Sequence, residues 1–229
     1  MATRYGACLL RFNWKGWRGG PAARASRIAL LLALLLPAPA AMAAPATVLA
    51  FGDSLFAGYG LPPGDSFPAQ LERALKADGR EIRVINAGVS GDTTADGVAR
   101  LDWSLAEKPD LVVLELGAND ALRGLDPARA RANLDQLLAR LKAAGLPVLL
   151  VGMLAPRNLG PAYAAQFDPI YPELARKYGV PLYPFVLEGV ALDPNLIQAD
   201  GMHPNAKGVA IMVKRMLPMV EQAMPAAHS

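Results

Sequence analysis

Between residues 47 and 222, short apolar runs alternate with longer stretches whose apolar residues recur every three or four positions. Unbroken apolar runs suit strands covered on both faces, whereas the longer period suits helices with one buried side. Thr47–Phe51, Ile82–Ile85, Leu111–Leu116 and Val148–Val151 read as strands, with a short fifth around Val180–Tyr183. Helices are expected from Ser66 to about Gly79, from Thr93 or Thr94 to before Pro109, and from Asp126-Pro127 to Gly145. Asp126 is placed to cap the third of these, with Pro127 at its first position. One further helix is expected near 161–177 and a last one after Pro204. Strands that alternate with helices in this way form a parallel sheet with helices on both faces. Ligands of such sheets gather at the carboxyl ends of the strands, which singles out the loops to inspect.

Gly52-Asp53-Ser54-Leu55 follows the first strand. A serine at that turn can serve as a nucleophile, with Gly52 expected to let the backbone turn tightly. The loop is not the G-x-S-x-G elbow, because position 56 is Phe, and a plain Asp-Ser turn explains it equally well. After the second strand, Gly91-Asp92-Thr93-Thr94 can present backbone N–H groups to a developing anion. Ordinary helix capping also accounts for it, with Asp92 as a cap and Asp96 as a solvated residue. After the third strand, the side-chain amide of Asn119 can donate to an oxyanion or close an Asx turn.

The chain has two histidines, His203 and His228, and His228 sits beside the C-terminal Ser229. If serine chemistry occurs, His203 is the base by elimination. Asp200 lies three residues upstream, across Gly201, and can reach the second ring nitrogen. The alternative is a capping aspartate followed by a surface histidine. Taken one at a time these loops decide little, but all four fall where strands end and helices begin.

The N-terminus reads as a separate segment. Arg4, Arg11, Lys15, Arg18, Arg24 and Arg27 precede the apolar run Ile28–Leu36, which Pro37 closes before small residues through Ala44. A basic stretch, an apolar run of roughly ten residues and a small-x-small site describe a secretory signal peptide. Residues 1–43 are expected to be removed after Ala43, leaving 44–229 as a single domain exported to the periplasm or secreted. An uncleaved anchor would need about 20 apolar residues, and Pro37 and Pro39 interrupt this run well before that. Six of the 23 basic residues lie in the leader, so 17 face all 20 acidic ones in the remainder. The mature domain is therefore expected to be acidic, and nucleic acid is not an expected partner. The one cysteine, Cys8, also lies in the leader, so neither a disulfide nor a thiolate nucleophile is expected. With one usable histidine and no carboxylates at ligand spacing, neither metal nor other cofactor is expected. No G-x-G-x-x-G follows the first strand and no P-loop is present, which argues against a nucleotide-binding module.

Gly52-Asp53-Ser54-Leu55, Gly91 within Ser-Gly-Asp-Thr, Gly117-Ala118-Asn119-Asp120 and Asp200-x-x-His203 resemble the four blocks of the GDSL/SGNH hydrolases. The likeness extends over nearly all of residues 46–222. It is nearest to the exported members that act as acyl-CoA thioesterases, lysophospholipases and arylesterases. Ala118 departs from the pattern, since glycine is usual there. The resemblance implies a flavodoxin-like three-layer α/β/α sandwich. It implies a triad of Ser54, His203 and Asp200, with an oxyanion hole from the N–H groups of Ser54 and Gly91 and the amide of Asn119. The implied activity is hydrolysis of esters or thioesters through an acyl-enzyme, by a monomer acting on small molecules with transient contact with lipid. A carbohydrate O-acetyl esterase carries the same blocks, and an exported ligand-binding protein is the non-enzymatic alternative. Met153–Tyr163, after the fourth strand, is a candidate wall for an acyl pocket.

Overall fold

The computed structural model describes residues 45–77 and 79–225. The leader with its expected cleavage site and His228 lie outside the described residues. Five parallel strands form the central sheet: β1 (Ala46–Gly52), β2 (Ile82–Gly88), β3 (Leu111–Glu115), β4 (Val148–Val151) and β5 (Leu182–Tyr183), in the order β2-β1-β3-β4-β5. Every residue of β3 and β4 is buried, as an apolar run in a doubly covered strand requires. β2 lies at the edge, and there Arg83 and Asn86 are exposed while Ile82, Val84 and Ala87 are buried.

The helices are α1 (Ser54–Ala57), α2 (Phe67–Ala77), α3 (Thr94–Leu105), α4 (Ala118–Leu122), α5 (Pro127–Ala143), α6 (Pro161–Phe167), α7 (Ile170–Tyr178) and α8 (Ala206–Ala223). α2 packs on α8, and α5 packs on α3, α6 and α7. Right-handed crossovers place α2 on one face of the sheet and α3, α5 and α7 on the other, and α8 joins α2 on the first face by packing against it. Leu71, Leu75, Met212 and Met216 of the first layer and Leu101, Leu134, Leu138 and Leu141 of the second are buried against Val48–Phe51 and Val112–Leu114. Each such side chain contributes about 1.5–3 kcal/mol through burial. The result is the expected α/β/α sandwich with a parallel sheet.

β2 runs on from Ile85 to Gly88, and two further elements depart from expectation. The stretch near 161–177 is two helices, because Pro169 has no N–H to continue the ladder. The fifth strand is shortened to two residues behind Pro181, although the Pro181 carbonyl still accepts from Leu150 N–H at 3.0 Å. From β1, the chain goes to β2 on one side and eventually to β3 on the other. The crevice at the carboxyl ends of β1 and β3 is thus the point where strand order reverses, where such sheets bind ligands.

Candidate active site

Ser54 opens α1 directly after β1. Asp53 caps this one-turn helix by accepting Leu55 N–H on Oδ1 at 3.0 Å, and Gly58, at φ +82°, ends it. Among the described residues no oxygen takes the backbone N–H of Ser54, so it stays available to a ligand. Gly52 is not the turn residue that its position suggested, since its φ is not left-handed. It is needed for close approach: a Cβ there would lie 2.6 Å from Glu115 Oε2 and 2.8 Å from the Glu115 carbonyl.

His203 reaches Ser54 from the far end of the chain, with Nε2 2.9 Å from Ser54 Oγ. Its Nδ1 lies 2.6 Å from Asp200 Oδ2. Asp200 is turned toward the ring by its own loop: Oδ1 accepts the N–H groups of Met202 at 2.9 Å and His203 at 3.0 Å, while Gly201 takes φ +74°. The Met202 N–H, then the His203 ring and N–H, hold the Asp200 carboxyl down at about 2. The three side chains expected to form a triad are therefore in hydrogen-bonding sequence.

This loop is stapled to the segment after α1. Gln198 Nε2 donates to the carbonyls of Tyr59 at 2.8 Å and Pro204 at 2.9 Å, and Gln198 N–H donates to the His203 carbonyl at 2.8 Å. The Tyr59 ring packs on the imidazole with centroids 4.6 Å apart. Neither Gln198 nor Tyr59 stood out in the sequence.

Asn119, the second residue of α4, donates its amide to the Asp92 carbonyl at 2.9 Å and to Asp53 Oδ2 at 3.2 Å. It thus bridges the loops that follow β1 and β2. Gly91, at φ +91°, accepts Arg123 Nη2 on its carbonyl at 2.7 Å, and its N–H has no acceptor among the described residues. The expected roles of Asp92 and Asp96 need correction. Thr93 is the helix cap, and Asp96 completes a capping box with it. Asp92 instead pairs with Arg100 at 2.5 Å. Arg100 also donates to the carbonyls of Gly52 at 2.8 Å and Ala87 at 2.9 Å and lies 4.0 Å over the Phe51 ring. One guanidinium therefore ties the ends of β1 and β2 together, a part that only the fold brings to the site.

Ser54, Asn119 and His203 line one cleft of about 460 Å³. Its remaining wall is largely apolar, with Leu55, Ala121, Met153, Leu154, Phe185 and Ile197 among the lining residues. Of the segment expected to wall a pocket, Met153–Arg157 do so and the part toward Tyr163 does not. A separate hollow between Lys142, Pro147 and Tyr178 lies at the amino ends of β4 and β5, away from these groups. Among the described residues, no three His, Cys, Asp or Glu side chains are grouped as a metal ion would require.

The profile of the GDSL-like lipase/acylhydrolase family matches residues 50–211. The chain is 45% identical to the esterase TesA of Pseudomonas aeruginosa over 163 residues, 71% of this chain and 81% of that protein. It is 40% identical to thioesterase 1/protease 1/lysophospholipase L1 of Escherichia coli over 183 residues, 78% of this chain and 86% of the relative. The crystal structure of AlinE4, an SGNH-hydrolase family esterase, is 53% identical, with a TM-score of 0.68 over 81% of this chain and all of that one. On these matches, this chain belongs to the GDSL-like lipase/acylhydrolase family.

Proposed function

We propose that the chain is an exported serine hydrolase that cleaves carboxylic esters and thioesters with apolar acyl groups. The observation that carries this reading is the run from Asp200 through His203 to Ser54, at 2.6 and 2.9 Å. Ser54 Oγ attacks the acyl carbonyl while its proton passes to His203 Nε2. Asp200 fixes the tautomer and stabilises the imidazolium. The oxyanion is held by the N–H groups of Ser54 and Gly91 and by Asn119, whose 3.2 Å bond to Asp53 is the weaker of its two and the one to be exchanged. Collapse returns the proton to the departing alcohol or thiol, and water then clears the acyl-enzyme by the same steps in reverse order.

The apolar cleft supports an acyl chain over a sugar, and the names of the relatives, esterase and thioesterase/lysophospholipase, support esters and thioesters together. Leu122, Leu154 and Met202 line the cleft and are exposed, and Leu192 beside them is 97% exposed, which supports transient contact with lipid. Ser54, His203 and Asp200 all come from one chain, which supports a monomer as the unit of action. Among the described residues no helix is long and apolar enough to cross a membrane, and the basic-then-apolar leader supports export.

Ser54→Ala is the direct test. It should remove hydrolysis of nitrophenyl esters and labelling by a fluorophosphonate, and leave the thermal unfolding midpoint close to that of the parent. Undiminished labelling of the variant would mean that another residue is the nucleophile.

A further inference from the structure

Beneath the nucleophile loop lie two carboxyl groups that the reaction does not use, Asp53 and Glu115, both fully buried. Glu115 ends β3, and its Oε2 accepts the backbone N–H of Asp53 at 3.1 Å. Two carboxylates in contact within a dry site cannot both be ionised, because neither the charges nor their desolvation is compensated. The donors are divided unequally. Each oxygen of Asp53 accepts an N–H, from Leu55 at 3.0 Å and from the Asn119 amide at 3.2 Å. Glu115 has one donor, and its Oε1 is buried without a partner among the described residues.

We propose that Glu115 is a positioning residue that stays protonated in the working enzyme, so that the pair bears one negative charge, lodged on Asp53. This rests on the reading of Ser54 as nucleophile. The charge on Asp53 anchors Leu55 N–H, which sets α1 and Ser54, and holds the Asn119 amide at the rim of the cleft until the oxyanion takes it. A second charge on Glu115 would repel the first and stand beside the place where an oxyanion develops. The environment agrees with this division. Burial, then the neighbouring Asp53 charge, pushes the Glu115 carboxyl well above its usual range, whereas burial brings Asp53 only to about 6. The other groups facing the pair are Asp92 and Arg100 beside the end of β2, Tyr171 of α7 and His203, with Asp120 of α4 acting on Tyr171.

Two variants and one spectrum test this. Glu115→Gln keeps shape, one acceptor and a neutral donor, so kcat/KM at pH 7 should stay within about threefold. Glu115→Leu removes the acceptor for Asp53 N–H, and the loss should be about tenfold and fall on kcat, since a displaced Ser54 or Asn119 weakens only the transition state. A raised carboxyl contributes stability that is complete below its ordinary value and is lost as pH rises through its folded value. Glu115→Gln escapes that loss, so its melting midpoint should climb relative to the parent from pH 5 to pH 9, and its activity should extend further into alkali. The parent at pH 8 should also show the infrared carbonyl band of a buried protonated carboxyl, a measurement that needs no variant to fold. A melting difference that is flat or shrinks with pH, a Gln variant as impaired as the Leu variant, or absence of that band would overturn the proposal. In a Ser54→Ala background the melting difference should be unchanged, which separates failure of this inference from failure of the nucleophile assignment.

Discussion

Gly117 joins the end of β3 to α4 and so governs where Asn119 sits. Its φ is +120°, and a Cβ there would fall inside the contact radius of Tyr171 Oη, with Tyr171 Cζ 3.5 Å away. Tyr171 is almost wholly buried and donates to the Leu116 carbonyl at 2.8 Å, so it cannot swing aside. Gly117→Ala should therefore carry two penalties: about 1–2 kcal/mol for the left-handed backbone and about 1–3 kcal/mol for the collision. Tyr171→Phe alone leaves the Leu116 carbonyl without its partner, costing about 1–3 kcal/mol. Combined, the second change deletes the atom with which the first collides. The double variant should thus be about 1–3 kcal/mol more stable than the two separate losses added together. Urea unfolding of the four proteins, followed by circular dichroism, measures this coupling. Gly117→Ala should also lower kcat, and part of that loss should return with Tyr171→Phe. Stability changes that add within about 0.5 kcal/mol would show that backbone conformation alone governs the position, and the collision argument would fail.

Asp200→Asn should reduce kcat by up to about 10⁴, the loss set by the wrong histidine tautomer and moderated by solvent at this partly exposed carboxyl. Because the Asp200 carboxyl is held at about 2 against 3.8, its contribution to stability is complete above 3.8 and is lost as pH falls toward 2. The stability gap between parent and Asp200→Asn should accordingly be wide at pH 6 and narrow by pH 2 in acid titrations. Activity should survive exhaustive EDTA treatment, since no ligand set is grouped among the described residues; a loss restored by added Zn²⁺ or Ca²⁺ would contradict this. Intact mass of exported protein should correspond to a chain beginning at Ala44, and a product retaining Met1 would favour an anchor.

The strands and longer helices were legible because apolar period alone determines them, and Val148–Val151 runs as expected. The site loops were legible in position, since each follows a strand, and Asp200-x-x-His203 carries its geometry within four residues. What escaped were features without a local period. α1 and α4 are too short for one, although Asp53 is a capping type. Arg100, Gln198, Glu115 and Tyr171 act on residues far away in the chain, and nothing near them marks the partner. Asp92 was misjudged for the same reason: any Asp before a Thr-Thr helix start reads as a cap, and only Arg100, eight residues on, shows otherwise. Pro169 was a visible signal for dividing the helix near 161–177.

Ser54 and His203 are separated by 149 positions, and α8 closes the fold only after His203 has been laid down. Such a contact closes a long loop, and its entropic cost is met only once the intervening layers have packed. A nascent chain therefore carries its nucleophile long before its base and is chemically silent throughout synthesis. Hydrolysis begins only once the chain through α8 has been made and packed, which makes the first turnover a clock for assembly of this domain. Fragments cut in the loop between α5 and β4 should likewise be inert apart and active only after reassociation, so that an ester dye would count complete molecules rather than chains.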